Sequence, residues 1–294
     1  MSGEPLTSVV MCAWQPREDW FREAVASVLA DDAVDELVVV DDGSPEPVDS
    51  LLGDFDDSRI RVVRIEHGGL SLARNAGIRA AKGAFVRFAD ADDLLEPGGS
   101  RALLDVADDE TVAYGATQVC DESLRPLLVK SSTLEGRIAE PCLLYRFDVV
   151  HTSMLFPRRV LDEVGEFEPQ LRQCQDWDFV LRACEVAPMR GTAAIVTRYR
   201  RHTSSVSSNL ERAMHFESMV VDRYFERHPE QRGSRLEREA RAKLLLVRAA
   251  MATRVGGGRL AQFRYIVRAF ILHPRRTVEE LANALRRKGT RSTS

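Results

Sequence analysis

The stretch Phe88-Ala89-Asp90-Ala91-Asp92-Asp93 places three carboxylates within four positions. It comes directly off the apolar run Ala84-Phe85-Val86, and the turn Glu96-Pro97-Gly98-Gly99 follows it. Like charges this close repel one another and raise each other's proton affinity. A divalent cation relieves that repulsion, and hard oxygen ligands suit Mg²⁺ or Mn²⁺. Mg²⁺ usually takes one or two protein carboxylates and completes its shell with substrate phosphates. Taken alone, such a cluster also suits a solvated turn capping the helix expected near Ser100. Three further groups bear on the choice. Asp41-Asp42-Gly43-Ser44-Pro45 ends another apolar run, Glu36 to Val40. Gln175-Asp176-Trp177-Asp178 opens a helix, where the dipole favours carboxylates on structural grounds alone. His202 follows Tyr199-Arg200-Arg201 at the end of a strand-like run and precedes a serine-rich segment ending at Ser207.

The elements that must position these groups follow from hydrophobic periodicity. Thr7 to Cys12, Glu36 to Val40, Ile60 to Ile65 and Ala84 to Ala89 are short, β-branched apolar runs, read as buried strands. Arg17 to Leu29 and Leu70 to Ala81 have helical spacing, the second stopped by Lys82-Gly83. This alternation implies crossovers and a mainly parallel sheet covered on both faces. Ligands in such sheets bind outside the carboxyl ends of the strands, where both acidic turns stand. Tyr114 to Arg137 is a mixed segment. Further strands are expected over Val150 to Phe156 and Thr192 to Tyr199, with a helix around Arg159 to Val164 between them. A dinucleotide-binding fold of the dehydrogenase type needs a glycine-rich turn after the first strand. The turn here, Ala13-Trp14-Gln15-Pro16-Arg17, has no glycine.

With 294 residues the chain can bury a full core, and 44% hydrophobic with 29% charged residues is ordinary for a globular protein. Met1 to Pro5 has no basic segment leading an apolar one, so no signal peptide is expected. No apolar run is long enough for a spanning helix. The five cysteines form no CxxC pair and fit reduced thiols in a cytosolic protein. The net charge of −4 hides an asymmetry: residues 206–294 carry 19 Lys and Arg against 9 Asp and Glu. An acidic body therefore precedes a basic tail.

Taken in order, these groups resemble the family 2 glycosyltransferases of the GT-A fold. Val40-Asp41-Asp42-Gly43-Ser44 resembles the family's VDDGS, and Gly69 to Gly77 its GxSxARNxG. Phe88 to Asp93 resembles its DxD segment. Gly165-Glu166-Phe167 with Gln175 to Asp178 is similar to its GxF turn and ED-type element, and Tyr199 to Ser207 to its closing YRxH…S. The resemblance covers about residues 7–207. It implies that Asp41 binds the uracil or ribose of a nucleotide-diphosphate sugar, with Asp42 nearby. Asp92 would ligate Mg²⁺ or Mn²⁺, with Asp90 sharing the ion or holding the sugar, and His202 approaching from the far side. Arg74 would lie along the sugar and diphosphate, and Asp176 would be the general base. Three departures stand out: Gln175 where Glu is usual, Gln15-Pro16 where Tyr-Asn is common, and His67-Gly68 where Asn is common.

The chemistry makes the same demands. Moving a sugar off a diphosphate develops charge on the leaving oxygen, and the acceptor hydroxyl must lose a proton as it attacks. One base, one metal and no second carboxylate as nucleophile fit a single displacement with inversion. The expectation is a GT-A catalytic domain over 1–207, an α/β fold with a mainly parallel central sheet flanked by helices. A basic, all-helical extension over 208–294 would follow. The protein would be a metal-dependent, inverting transferase using a UDP-sugar and a glycan or lipid-linked acceptor in polysaccharide or glycoconjugate assembly. It would be cytoplasmic and need no nucleic acid. The other reading is a catalytically silent nucleotide-sugar-binding subunit. A nucleotidyltransferase would need a glycine-rich, Arg-containing loop after the first strand, which is missing.

In the extension, helices are expected over Leu210 to Arg227, Leu236 to Arg254, Leu260 to Leu272 and Val278 to Lys288. The third carries an apolar stripe of Leu260, Phe263, Ile266, Val267, Phe270 and Ile271. The stripe is expected to pack on the catalytic body or on a second copy in a homodimer. Peripheral contact with the inner face of a membrane is the alternative.

Overall fold

The computed structural model of the protein describes residues 6–147, 149–202, 210–252 and 258–291. The chain divides into two compact units, 1–205 and 206–294. In the first, β1 (Thr7–Ala13), α1 (Glu18–Leu29), β2 (Glu36–Asp42), α2 (Asp49–Leu52), β3 (Ile60–Ile65), α3 (Leu70–Ala80) and β4 (Phe85–Asp90) come in succession. Next are β5 (Leu94–Leu95), α4 (Gly99–Leu104), β6 (Val112–Cys120), β7 (Pro126–Lys130) and α5 (Ala139–Leu143). Last come β8 (Met154–Pro157), α6 (Arg158–Val164), α7 (Gln175–Val186) and β9 (Met189–Arg200).

All nine strands join one sheet in the order β3-β2-β1-β4-β8-β6-β9-β5, with β7 on the side of β6. The four strands β3, β2, β1 and β4 pair in parallel, as crossover connections require. Beyond β4 the directions mix: β8 is antiparallel to both β4 and β6, whereas β6 and β9 run parallel. The continuous apolar runs of β1, β2 and β4 reflect burial on both faces, whereas β3, expected to be buried, is an edge strand and only partly so, with Arg64 exposed. Val9, Met11, Leu37 and Val39 pack with Phe21, Val25 and Val28 of α1. On the other face, a Cβ at Gly77 of α3 would come within 2.2 Å of Val10 Cγ1, so the helix lies close against β1 and β2.

The register decides where the chemistry falls. Ala13 stands opposite Asp41 on one side of β1, and Cys12 opposite Asp90 on the other. The two acidic turns thus flank the carboxyl end of β1. Two further expectations for this unit need correction. The mixed segment after Tyr114 holds a hairpin of β6 and β7, with a register shift between Val119 and Cys120 and a turn at Asp121, whose carboxylate accepts from the Ser123 and Arg125 amides. The strand expected from Val150 begins only at Met154; His151–Ser153 is a 3-10 turn, and β8 pairs with β4 only over Phe85 to Arg87.

The second unit comprises α8 (Leu210–Arg227), α9 (Arg235–Met251), α10 (Gly258–Leu272) and α11 (Pro274–Arg291). Ser234 caps α9 by accepting from the Glu237 amide, while the Glu237 carboxylate accepts from Gly233 N. Ala242, Leu245 and Ala269 form a small core with Leu246, Tyr265 and Leu272. The alanines let α9 and α10 approach closely. As a result α10 turns Tyr265, Ala269 and Leu272 inward, and most of the expected packing stripe faces outward: Leu260, Phe263, Val267, Phe270 and Ile271 are exposed. Arg254, the expected end of the second helix, lies outside the described residues, as does the serine-rich stretch Thr203–Ser207.

Candidate active site

The turn after β2 is built by its own carboxylates. Asp41 is fully buried, and its Oδ1 accepts from Ser44 N at 2.8 Å. Its Oδ2 accepts from Arg64 Nη1 of β3 at 2.6 Å and from Val48 N at 3.4 Å. Asp42 reaches the other way: Oδ1 accepts from Gly68 N at 2.8 Å and Oδ2 from Gly69 N at 2.9 Å. It thereby fixes the entry to α3. Gly43 has φ +67, and a Cβ there would lie 2.6 Å from His67 N, so glycine is required on two counts. Above this turn the rings of Trp14 and His67 stack 4.7 Å apart, with Trp14 51% exposed. Sequence reasoning noted the departures around these residues without seeing that they meet. Only their shared place at the carboxyl ends of the strands reveals it.

The turn after β4 is different. Asp90 and Asp92 are both partly exposed. Asp90 Oδ1 accepts from Arg74 Nη2 at 3.2 Å, and Asp92 Oδ2 lies 2.8 Å from His202 Nε2. Burial, and then the charge of Asp90, raise the proton affinity of Asp92, while His202 opposes them. Asp93 points inward, and its Oδ1 accepts from Arg200 N at 2.8 Å. Burial and its two acidic neighbours push its carboxyl well above the usual range. Arg200 ties the turn down through Nε to Asp92 O at 3.0 Å, Nη1 to Glu122 O and Nη2 to Glu23 Oε2. Trp20 lies against both Arg200 and His202. The DxD turn and the end of β9 are therefore one assembly.

Asp176 is the second residue of α7, with its side chain 47% exposed and its Oδ1 accepting from Trp177 N. Cys174, at φ +59, swings the chain so that Gln175 enters the core while Asp176 stays outside. The segment leading here is clamped to α3: Asn75 donates to Phe167 O at 2.9 Å and accepts from Phe167 N at 2.7 Å. Arg182 holds the carbonyls of Val164 and Glu166 and pairs with Asp178 at 2.9 Å. Asp178 is thus part of the helix anchor.

Between Asp176 and the DxD turn lies His151, which sequence reasoning missed. Its ring is buried, its Nδ1 is 3.9 Å from Asp176 Oδ2, and neither ring nitrogen has a hydrogen-bond partner among the described residues. Burial first, and then the Arg74 guanidinium, depress its pKa from 6.5 to about 3. Arg74 is itself buried, and its Nη1 has no hydrogen-bond partner among the described residues, beside the bond from Nη2 to Asp90. Three pairs therefore mark this end of the sheet: Asp176 with His151, Arg74 with Asp90, and Asp92 with His202. The signal available in the sequence was a lone imidazole in the apolar run Val149 to Phe156, which reads more simply as a core histidine.

Comparison with known proteins gives a consistent frame. The model of glycosyl transferase family 2 matches residues 8–165. The succinoglycan biosynthesis protein ExoO of Rhizobium meliloti (strain 1021) is 28% identical over 274 residues, covering 83% of this chain and 77% of that protein. An uncharacterized glycosyltransferase of Rickettsia felis is 27% identical, covering 70% of this chain and 36% of that one. The chain spans between 21% and 36% of the length of three such relatives. Among solved structures, S. aureus TarS 1-349 in complex with UDP-GlcNAc superposes with a TM-score of 0.64 at 16% identity, covering 92% of this chain and 82% of that one. The likeness is one of fold, the GT-A arrangement of a curled α/β sheet flanked by helices.

Proposed function

Because the chain belongs to glycosyl transferase family 2, we propose that it is a metal-dependent, inverting glycosyltransferase. It transfers a sugar from a nucleotide diphosphate, UDP in the first instance, to a hydroxyl of a polysaccharide or glycoconjugate acceptor in the cytoplasm. ExoO's name points to polysaccharide assembly, and the UDP-GlcNAc bound to TarS supports a UDP-sugar donor. The observation that carries the proposal is the pairing of Asp92 with His202 at 2.8 Å beside the Asp90–Arg74 contact, on the same sheet end as Asp176.

The residues after β4 fit a hard divalent cation. Asp92 carries a carboxylate whose proton affinity is raised by burial first and then by a like-charged neighbour, and His202 stands across from it. Among the described residues no three His, Cys, Asp or Glu side chains converge to hold an ion by themselves. Asp92 and His202 would therefore share it with diphosphate oxygens. When bound, the ion supplies positive charge against the departing diphosphate.

The chain's own groups do the rest. Arg74, pinned by Asp90, presents a guanidinium toward the sugar and diphosphate. Asp176 accepts the proton of the acceptor hydroxyl as its oxygen bonds to the anomeric carbon and the diphosphate leaves with the electron pair of the broken bond. With a single displacement the anomeric configuration inverts. Asp41 and Asp42 serve the nucleotide side by holding the turns around Gly43 and Gly69, and Trp14 on His67 offers a flat face to a base.

The test combines binding with turnover. A panel of nucleotide sugars is screened for thermal stabilisation with and without Mn²⁺, since ligands of the folded state raise apparent stability. The expected result is metal-dependent stabilisation by UDP-sugars, transfer to an acceptor with inverted anomer, and loss of transfer but not of UDP binding in Asp176→Asn. Stabilisation without any transfer would favour the silent binding subunit. Undiminished transfer by Asp176→Asn would overturn the assignment of the base.

A further inference from the structure

The outward face of α10 matches an anionic phospholipid surface, and we propose that the second unit docks there. Phe263 is 63% exposed and Ile271 74%, with Leu260, Val267 and Phe270 exposed beside them. At 3.6 residues per turn these five side chains fall within an arc of about 100°. Arg259 borders the arc on one side, and Arg264 and Arg268 on the other. All three arginines are exposed, and none has an acidic partner among the described residues. The opposite side of the helix, Tyr265, Ala269 and Leu272, is already used against α9. The helix is therefore apolar on two sides, and only one of them is covered by the described residues.

Two occupants could cover the other. A second copy is disfavoured by charge. Residues 258–272 contain no Asp or Glu, so laying α10 on its own copy would bring arginines against arginines. The carboxylates of α11 are no remedy, because Glu279 and Glu280 are already paired with Arg275, Arg276 and Lys243. Anionic headgroups complement the arginine border, whose long stems let the guanidinium groups reach them while the apolar arc enters the acyl boundary. No helix among the described residues is long and apolar enough to cross a membrane, so the contact is with the surface.

The full chain is mixed with vesicles of phosphatidylcholine alone, or of equal parts phosphatidylcholine and phosphatidylglycerol, and binding is read by flotation. Binding to the phosphatidylglycerol vesicles at low salt, weakened by high salt and absent with phosphatidylcholine alone, is expected. Each arginine near the surface contributes about fivefold, so Arg264→Glu with Arg268→Glu should weaken binding more than twentyfold. Phe263→Ser with Phe270→Ser should abolish it, with the circular dichroism spectrum unchanged because both positions are exposed. Failure to bind phosphatidylglycerol vesicles overturns the proposal. So does a dimer in sedimentation velocity that the same two Phe substitutions dissociate, since a second copy would then be the occupant.

Discussion

Two acidic turns stand on either side of β1, and they use the same side chains for opposite ends. After β2, Asp41 and Asp42 are buried, and each oxygen accepts a hydrogen bond from a backbone amide or from Arg64. After β4, Asp90 and Asp92 keep part of their surface open, and Asp92 sits above its usual proton affinity. A carboxylate whose lone pairs are all engaged by fixed donors holds a loop. One held against another negative charge keeps a reserve of electrostatic energy that an incoming cation releases. Position at a strand end marks a carboxylate as available for function. The partners decide whether it is spent on the scaffold.

The comparison breaks most sharply at the residues kept in reserve. Asp176→Asn should lower turnover by about 10²–10⁴-fold, the range for removing a general base, with UDP binding retained in a thermal-shift assay. Asp92→Asn should lower it by about 10²–10³-fold through lost charge stabilisation. Because that change also relieves repulsion with Asp90, the melting temperature without ligand should stay within about 2 °C of the parent. A large fall in melting temperature would show that Asp92 is scaffold after all, and the contrast between the turns would fail.

The converse holds after β2. Asp42→Ala leaves the Gly68 and Gly69 amides without their acceptor and should destabilise by about 2–3 kcal/mol. Equilibrium denaturation reads this as a lower midpoint with an unchanged slope. Any loss of turnover should then be recovered in part by cooling or by saturating ligand, as for a residue that acts through the fold. An Asp42→Ala protein of parental stability with no turnover would place Asp42 among the reacting groups.

Much of this frame was legible in the sequence. The strands β1, β2 and β4 are buried on both faces, so their apolar runs are continuous, and β2 and β4 end abruptly in acidic turns. The division of labour between the turns was not legible, because Asp41 is paired with Arg64 of β3 and Asp42 with amides across the next crossover, pairings that only the register fixes. The β6–β7 hairpin was hidden because β7 carries Leu127, Leu128 and Val129 exposed, without the polar alternation of a half-buried strand. In the tail, periodicity gave α10 an apolar stripe but not its direction. The small side chains of Ala242 and Ala269 set that direction by admitting α9 on the opposite face.

His151 gives the finest test of the comparison, because it underlies the open site yet titrates like a piece of scaffold. Its folded pKa, near 3, lies below the unfolded value of 6.5. Between those values the unfolded chain binds a proton that the folded one refuses. The contribution of His151 to stability is therefore complete above about pH 6.5 and is lost as pH falls toward 3, at up to about 1.4 kcal/mol per pH unit. Denaturation at a series of pH values should show this slope in the parent and a flatter one in His151→Gln, measured against the same carboxylate background. Since His151 Nδ1 is 3.9 Å from Asp176 Oδ2, the substitution should also shift the acid limb of the pH–rate profile while leaving UDP binding intact. If the stability slope flattens and the rate profile does not move, His151 belongs with Asp41 and Asp42, as a residue that builds the site without tuning its base.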